Sequence, residues 1–290
     1  MTLREAYEYG QERLKSAGIE EFSIDAWYLL EFVTGIDRTA YFLEMGKEMS
    51  GEQQERYESC LEKRVRRIPL QHITGVQEFM GLEFCVNEHV LVPRQDTEVL
   101  VESVLSHLQP QMNVLDMCTG SGCILISLMK LGQITRGTGV DISEEALKVA
   151  DTNAKRHQVE PLWIKSDLFE NVVDKYDVIV SNPPYIRTSV IDELKEEVKF
   201  HDPFLALDGK EDGLYFYRKL VEESPVYLKK GGMLYFEIGH DQGQAVKDMM
   251  EIAGFECVTV KKDLAGLDRV VFGVYNIAEG NCTEKVENQP

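Results

Sequence analysis

The sequence predicts an α/β protein: a mostly parallel sheet with helices on both faces, preceded by a small all-helical domain and a β-hairpin. Two observations carry most of this. From residue 113 onward, apolar β-rich runs alternate with helical stretches, the pattern produced when crossover helices join parallel strands. Before Pro69 only helix-period patterns occur, whereas 72–93 holds short β-like runs broken by Gly75 and Gly81. The expected division is a helical domain at 1–71, a hairpin linker at 72–93, an α/β domain at 94–275 and an aperiodic, disordered tail at 276–290.

In "FSIDAWYLLEFVTG", Ala26, Leu29, Leu30 and Val33 recur at helical spacing, with Ser23 placed to cap the helix and Gly35 to end it. A second helix runs through "SGEQQERYESCLEKRVRR" and stops before Pro69. After the helical "DTEVLVESVLSHL" come the strand "NVLDM", a helix after Gly122, the strand "GTGVDI", a helix over 144–157 and the strands "LWIKSD" and "YDVIVS". A helix around 212–228, the strand "MLYFEIG", a helix over 242–252 and the strands "CVTVKK" and "DRVVFGVY" complete the series. No helix separates the last two strands, so one of them is expected to run antiparallel.

With 290 residues, 43% of them hydrophobic, the chain can bury one large core and a smaller second one. Its 31 Lys and Arg against 50 Asp and Glu give a net charge of −19, which repels phosphate backbones. The basic run "LEKRVRR" at 61–67 reads as cations complementing a helix C-terminus rather than a nucleic-acid contact. Six cysteines without CxxC spacing read as reduced thiols. No apolar run approaches the ~20 residues of a membrane span, and the charged N-terminus has no signal-type centre. A soluble cytoplasmic protein without membrane contact is expected. The six histidines are scattered, without the i, i+4 pairs of a zinc helix, and no metal is expected.

In "NVLDMCTGSGCILISLM" a strand leads into a turn carrying Gly120 and Gly122 and then a helix, the position at which open α/β sheets bind nucleotides. Asp141 ends the next strand, where a carboxylate can accept from both ribose hydroxyls. A third glycine is absent and there is no GK[ST], so diphosphate machinery is lacking; this favours S-adenosylmethionine over NAD. The stretch "SNPPY" ends another strand at the same sheet edge. Pro183 and Pro184 lack N–H groups, so the local backbone presents only acceptors, and the Asn182 side-chain oxygen adds one more. A planar –NH2 group placed there donates to Asn182 and to the Pro183 carbonyl, which aims its lone pair out of plane toward a methyl donor, while Tyr185 can stack on its plane. No strong base is needed, since the proton can leave after the methyl arrives. The bland reading of the same residues is a tight turn with Asn as turn former.

These residues, with "VLVPRQDTEVLVE", "GVDIS", "SDLF", "ALDGKEDGLYFYR", "YFEIGHDQG" and "DLAGLDRVVFG", resemble the protein-(glutamine-N5) methyltransferases of peptide chain release factors, the HemK/PrmC group, over about 1–275. The resemblance implies a class I S-adenosylmethionine-dependent methyltransferase fold, a Rossmann-like seven-stranded sheet, with the helical domain and hairpin docking a release factor. It implies cofactor contacts at Cys118, Thr119, Gly120, Ser121, Gly122, Asp141, Leu168 and Asn182, with Asp167 as a further candidate at the adenine edge. Asn182, Pro183, Pro184 and Tyr185 would hold the substrate glutamine, with Asn182, Pro183 and Tyr185 catalytic. A monomer is expected. Three departures stand out. Cys118 replaces a frequent glycine, which costs little provided φ stays negative; Gln95 replaces a common proline; and His201-Asp202-Pro203 stands where Tyr-Glu-Pro is usual. The competing readings are an adenine-N6 methyltransferase acting on DNA or RNA, a glutamine methyltransferase of a large-subunit ribosomal protein, and a binding module without turnover.

Overall fold

The computed structural model describes residues 1–276, and the expected disordered tail lies, from 277 on, outside the described residues. The chain forms two compact units. One comprises Met1–Val76 with Lys195–His201, the other Gln77–Leu194 with the residues from Asp202 onward.

The first unit carries α1 (Leu3–Ser16), α2 (Phe22–Thr34), α3 (Arg38–Glu44), α4 (Gly51–Val65) and α5 (Leu70–Thr74). Thr2 with Glu5 and Ser50 with Gln53 form reciprocal capping boxes that start α1 and α4. Gly35 ends α2 at φ 70, whereas Ser23 does not cap it. The helix begins one residue earlier, and the Ser23 hydroxyl instead accepts from Gln11 and pairs with Tyr7. Tertiary partners thus outcompete the local cap.

Ala26, Leu29, Leu30 and Val33 are buried together with Leu14, Trp27, Tyr57 and Leu61. Gly10 lets α1 approach this core closely, because a Cβ there would collide with the hydroxyl of fully buried Tyr57, which donates to the Ala26 carbonyl at 3.1 Å. Gly10→Ala is therefore expected to destabilise the protein by about 1–3 kcal/mol in denaturant unfolding, the overpacking penalty exceeding alanine's ~1 kcal/mol helix advantage.

Two of the four cations in the basic run at the end of α4 are committed inside this unit. Arg64 is buried, its Nε 2.7 Å from Asp25 and its terminal nitrogens 3.0 Å from Glu197, while Arg67 also reaches Glu197. Burial raises the Asp25 carboxyl even though Arg64 draws it down.

The second unit opens at Gln77, inside the hairpin of β1 (Val76–Phe79) and β2 (Leu82–Cys85), which is turned by Met80 and Gly81, both at positive φ. Then follow α6 (Glu98–Leu105), β3 (Asn113–Met117), α7 (Cys123–Leu131), β4 (Arg136–Asp141), α8 (Glu144–His157), β5 (Leu162–Lys165) and β6 (Tyr176–Ser181). After β6 come the short helices α9 (Thr188–Ile191), α10 (Glu196–His201, part of the first unit) and α11 (Phe204–Leu207). The chain continues with α12 (Tyr215–Tyr227), β7 (Leu228–Glu237), α13 (Gly243–Ile252), β8 (Phe255–Lys262) and β9 (Asp268–Tyr275).

The seven strands β3–β9 order as β5-β4-β3-β6-β7-β9-β8, with β9 antiparallel to both of its neighbours. The missing helix before β9 is the reason: two consecutive strands joined by a short turn must reverse direction. Alternation along each strand builds two cores. Val114, Val178, Val180 and Tyr235 face one side, Leu115, Met117, Ile179 and Phe236 the other. Cys60, Cys85, Cys118 and Cys123 are free thiols. No helix among the described residues is long and apolar enough to cross a membrane.

Candidate active site

β3, β4, β5 and β6 are mutually parallel, so their carboxyl ends share one edge of the sheet. A cavity of about 470 Å³ opens there. Its wall includes Cys118, Thr119, Gly120 and Ser121 from the loop after β3, Asp141 from β4, Asp167 and Leu168 after β5, and Asn182 and Pro184 after β6. Gly122, Pro183 and Tyr185 are not in that wall.

The loop after β3 alternates through left-handed backbone at Cys118, Gly120 and Gly122, with φ of 61, 55 and 78. The two glycines differ in purpose. A Cβ on Gly120 would project into open space, so its absence leaves room for a ligand, whereas one on Gly122 would press on Ile126, Ala150 and Trp163 at 3.0–3.1 Å. Gly122 thus serves helix packing. At Cys118 the positive φ corrects the expectation of a relaxed backbone: a side chain in the left-handed region costs about 1–2 kcal/mol, strain of the kind found beside ligand sites.

Asp116 anchors the loop from beneath. It is fully buried and accepts from the Thr119 hydroxyl at 2.5 Å, and burial pushes its carboxyl up to about 7 against that hydrogen bond. Asp141 fixes the loop from the side, with Oδ2 accepting from the Gly120 N–H and Oδ1 from the Ser143 N–H, each at 2.9 Å. A carboxylate offers about four acceptor positions, so each oxygen retains capacity for a ribose hydroxyl. Burial raises this carboxyl as well, opposed by those backbone donors. An acceptor pair beside a glycine with open space in front of it fits a nucleoside.

After β6, the Ser181 hydroxyl ties this strand to β3 through the Met117 carbonyl at 2.6 Å. Asn182 Nδ2 donates to the Thr97 hydroxyl oxygen at 3.3 Å, leaving Oδ1 with no donor among the described residues. Tyr185 packs on the sheet core, its hydroxyl donating to Glu237 at 3.2 Å and its carbonyl accepting from Gln242 at 3.0 Å.

Residues 5–75 match the PrmC N-terminal domain and residues 94–198 the methyltransferase small domain. The release factor glutamine methyltransferase of Caulobacter vibrioides is 42% identical over 284 residues, spanning 96% of this chain and 98% of its own. That of Geobacter sulfurreducens is 39% identical over 274 residues, spanning 94% and 96%. The chain belongs to the release factor glutamine methyltransferase family.

The seven-stranded sheet, with the methyltransferase small domain matched at residues 94–198, has the class I methyltransferase fold, and the crystal structure of a methyltransferase from Pyrococcus furiosus shares that fold, with a TM-score of 0.53 at 18% identity over 69% of this chain and 91% of that one. In this member of the release factor glutamine methyltransferase family, sequence reasoning misses Thr97, Gln242 and Glu237. Gln242 also bonds the Gly213 carbonyl at 3.1 Å, and Gly209 and Gly213 press so closely on the Tyr185 backbone that side chains there would collide with it. The only sequence signal was that "ALDGKEDGLYFYR" and "YFEIGHDQG" belong to the shared family pattern; what they do emerges once the chain is folded.

Of the other departures from the release factor glutamine methyltransferase pattern, Gln95 begins a single 3₁₀ turn over Gln95–Thr97 that places Thr97 beneath Asn182. Asp202 is buried and accepts from Arg94 at 2.7 Å, which ties the segment leading to Pro203 to the stretch before α6. Both Arg94 and Pro203 line the cavity.

Proposed function

We propose that this protein transfers a methyl group from S-adenosylmethionine to the side-chain amide nitrogen of the glutamine in the Gly-Gly-Gln loop of peptide chain release factors, acting as a monomer in the cytoplasm. The observation that carries the reading is the orientation of Asn182: its Nδ2 is engaged by Thr97, so its oxygen is left to accept from an incoming –NH2. An adjacent stretch without N–H donors, Pro183-Pro184, suits the same task. The names carried by the relatives supply the protein substrate.

Asp141, Gly120 and the walls at Leu168 and Asp167 would hold the cofactor. When bound, S-adenosylmethionine supplies an electrophilic methyl group. Asn182 Oδ1 and the Pro183 carbonyl accept the two amide hydrogens of the substrate glutamine, which orients the nitrogen and draws electron density onto it. Tyr185, pinned at hydroxyl and carbonyl, keeps the acceptors in place. The surplus proton leaves the amide after methylation, so a strong base is unnecessary.

In the first unit, Ile24, Tyr28 and Phe32 stand exposed at four-residue spacing along α2, an apolar stripe that suits residues 1–71 as the docking element, with 72–93 as the link to a catalytic 94–275. Adenine methylation in nucleic acid is disfavoured by the net charge of −19 and by the commitment of Arg64 and Arg67 to internal carboxylates. The test is transfer of labelled methyl to a purified release factor, beside a form with the loop glutamine changed to alanine and beside DNA and RNA oligonucleotides. Label on the unaltered release factor alone is expected; label on the oligonucleotides overturns the reading.

A further inference from the structure

Behind the Asn182–Tyr185 loop lies a carboxyl whose second oxygen the transfer described above leaves without a role. Glu237 ends β7, is buried, and accepts from the Tyr185 hydroxyl through Oε1. Oε2 is enclosed and meets no donor at hydrogen-bonding geometry. Besides Tyr185, a second hydroxyl draws this carboxyl down, that of Thr97, which is itself buried and is the acceptor for Asn182 Nδ2.

The direction of these bonds matters. An ionised carboxylate only accepts, so hydroxyls beside it turn their hydrogens toward it. A Thr97 hydroxyl that gives its hydrogen to Glu237 keeps its lone pairs for Asn182, and Asn182 must then present Nδ2 to Thr97 and Oδ1 to the cavity. The flipped carboxamide would meet the substrate –NH2 donor to donor, and it would require Thr97 to withdraw its hydrogen from a buried anion.

We propose that Glu237 is a positioning residue for amide methylation: its Oε2, which meets no donor, draws the Thr97 hydroxyl hydrogen toward itself in the working enzyme, and as an acceptor-only terminus it thereby sets the direction of the Asn182–Thr97–Glu237–Tyr185 chain and keeps Asn182 Oδ1 facing the substrate. This rests on the reading of Asn182 as the amide-holding residue. Protonation destroys the directionality, because a neutral carboxyl can donate back to Thr97. Burial pushes Glu237 up to about 7, with Thr97, Arg269 and Tyr185 pulling it down and Asp96 pushing it further. Tyr217 from α12 donates to its main-chain carbonyl and feels its charge, and Cys123 of α7 is a further titratable neighbour. The working form is the anion, so kcat should decline as pH falls through about 7.

The experiment compares full-length Glu237→Gln, Thr97→Val, Thr97→Ser and the Glu237→Gln/Thr97→Val double variant in methyl transfer to a release factor across pH, with calorimetric S-adenosylmethionine affinity measured for each. Glu237→Gln and Thr97→Val are each expected to lower kcat roughly 10- to 100-fold, the scale of one charge-assisted hydrogen bond, with cofactor affinity held within about 3-fold. Thr97→Ser should restore most activity. The double variant should fall no more than about 2-fold below the worse single one, because both interrupt one chain. The acid limb near pH 7 should vanish in Glu237→Gln. Wild-type kcat in both single variants, multiplying losses in the double variant, or an acid limb retained by Glu237→Gln overturns the proposal. Thr97→Val leaves the carboxyl in place and reports on the same chain should Glu237→Gln fail to fold. Normal turnover in Asn182→Ala removes the amide-holding reading itself; an inactive Asn182→Ala beside a fully active Glu237→Gln removes only the role of Glu237.

Discussion

Asn182→Ala is expected to reduce turnover by ~100-fold or more while cofactor affinity stays close to that of the unaltered protein, the scale for loss of one preorganised polar partner at a reacting group. The side chain contributes its single free acceptor, Oδ1, at the end of β6, and Thr97 holds it in orientation before any substrate arrives. Alanine removes the acceptor and leaves the backbone course intact, since Ser181 still bonds Met117 and Tyr185 is still clamped by Gln242. Asp141, the carboxylate proposed to hold the cofactor, lies on a different strand and is untouched. Single-turnover methyl transfer with a calorimetric binding curve separates the two effects. Near-normal turnover would mean that the amide is oriented by other groups and that the roles of Asn182 and Pro183 have to be reassigned.

The second large effect belongs to Asp141→Asn, expected to weaken S-adenosylmethionine binding by roughly 100-fold and to leave kcat at saturating cofactor within several-fold. Each carboxylate oxygen already accepts a backbone N–H, from Gly120 and from Ser143. A carboxamide has only one oxygen, so its –NH2 must face one of those donors and the matching ribose hydroxyl loses its acceptor. Hydrogen bonds to charged groups contribute about 1.5–3 kcal/mol each, which sets the predicted loss. Calorimetric titration with the cofactor is the check, and unchanged affinity would take the ribose away from Asp141.

Much of the α/β architecture was legible because buried parallel strands read as short continuous apolar runs: "NVLDM" and "YDVIVS" are β3 and β6 as they stand in the sheet. Ends were less legible where tertiary contacts compete with local signals. Ser23 looked like a cap and became a partner of Gln11, while β7 begins at Leu228, earlier than its apolar run, because it pairs with Tyr176 across an irregular register. Left-handed backbone at Cys118 was invisible because only glycine announces positive φ in a sequence. Glu237 and Thr97 were missed for another reason. They lie 140 positions apart in the chain, and nothing short of the sheet order puts the end of β7 next to the turn before α6.

The first unit is discontinuous in the chain, and this bears on the order in which the protein can be finished during synthesis. Arg64 is enclosed between Asp25 and Glu197, and Glu197 is encoded 133 residues after it. When the first 76 residues have left the ribosome the helices can assemble, yet the guanidinium still lacks one of its two carboxylates. The N-terminal portion is therefore the earlier to be made, but its last ion pair closes only after most of the sheet strands have been translated. A nascent chain halted before Lys195 should carry a looser helical unit than the completed protein, although every residue of those five helices is already present.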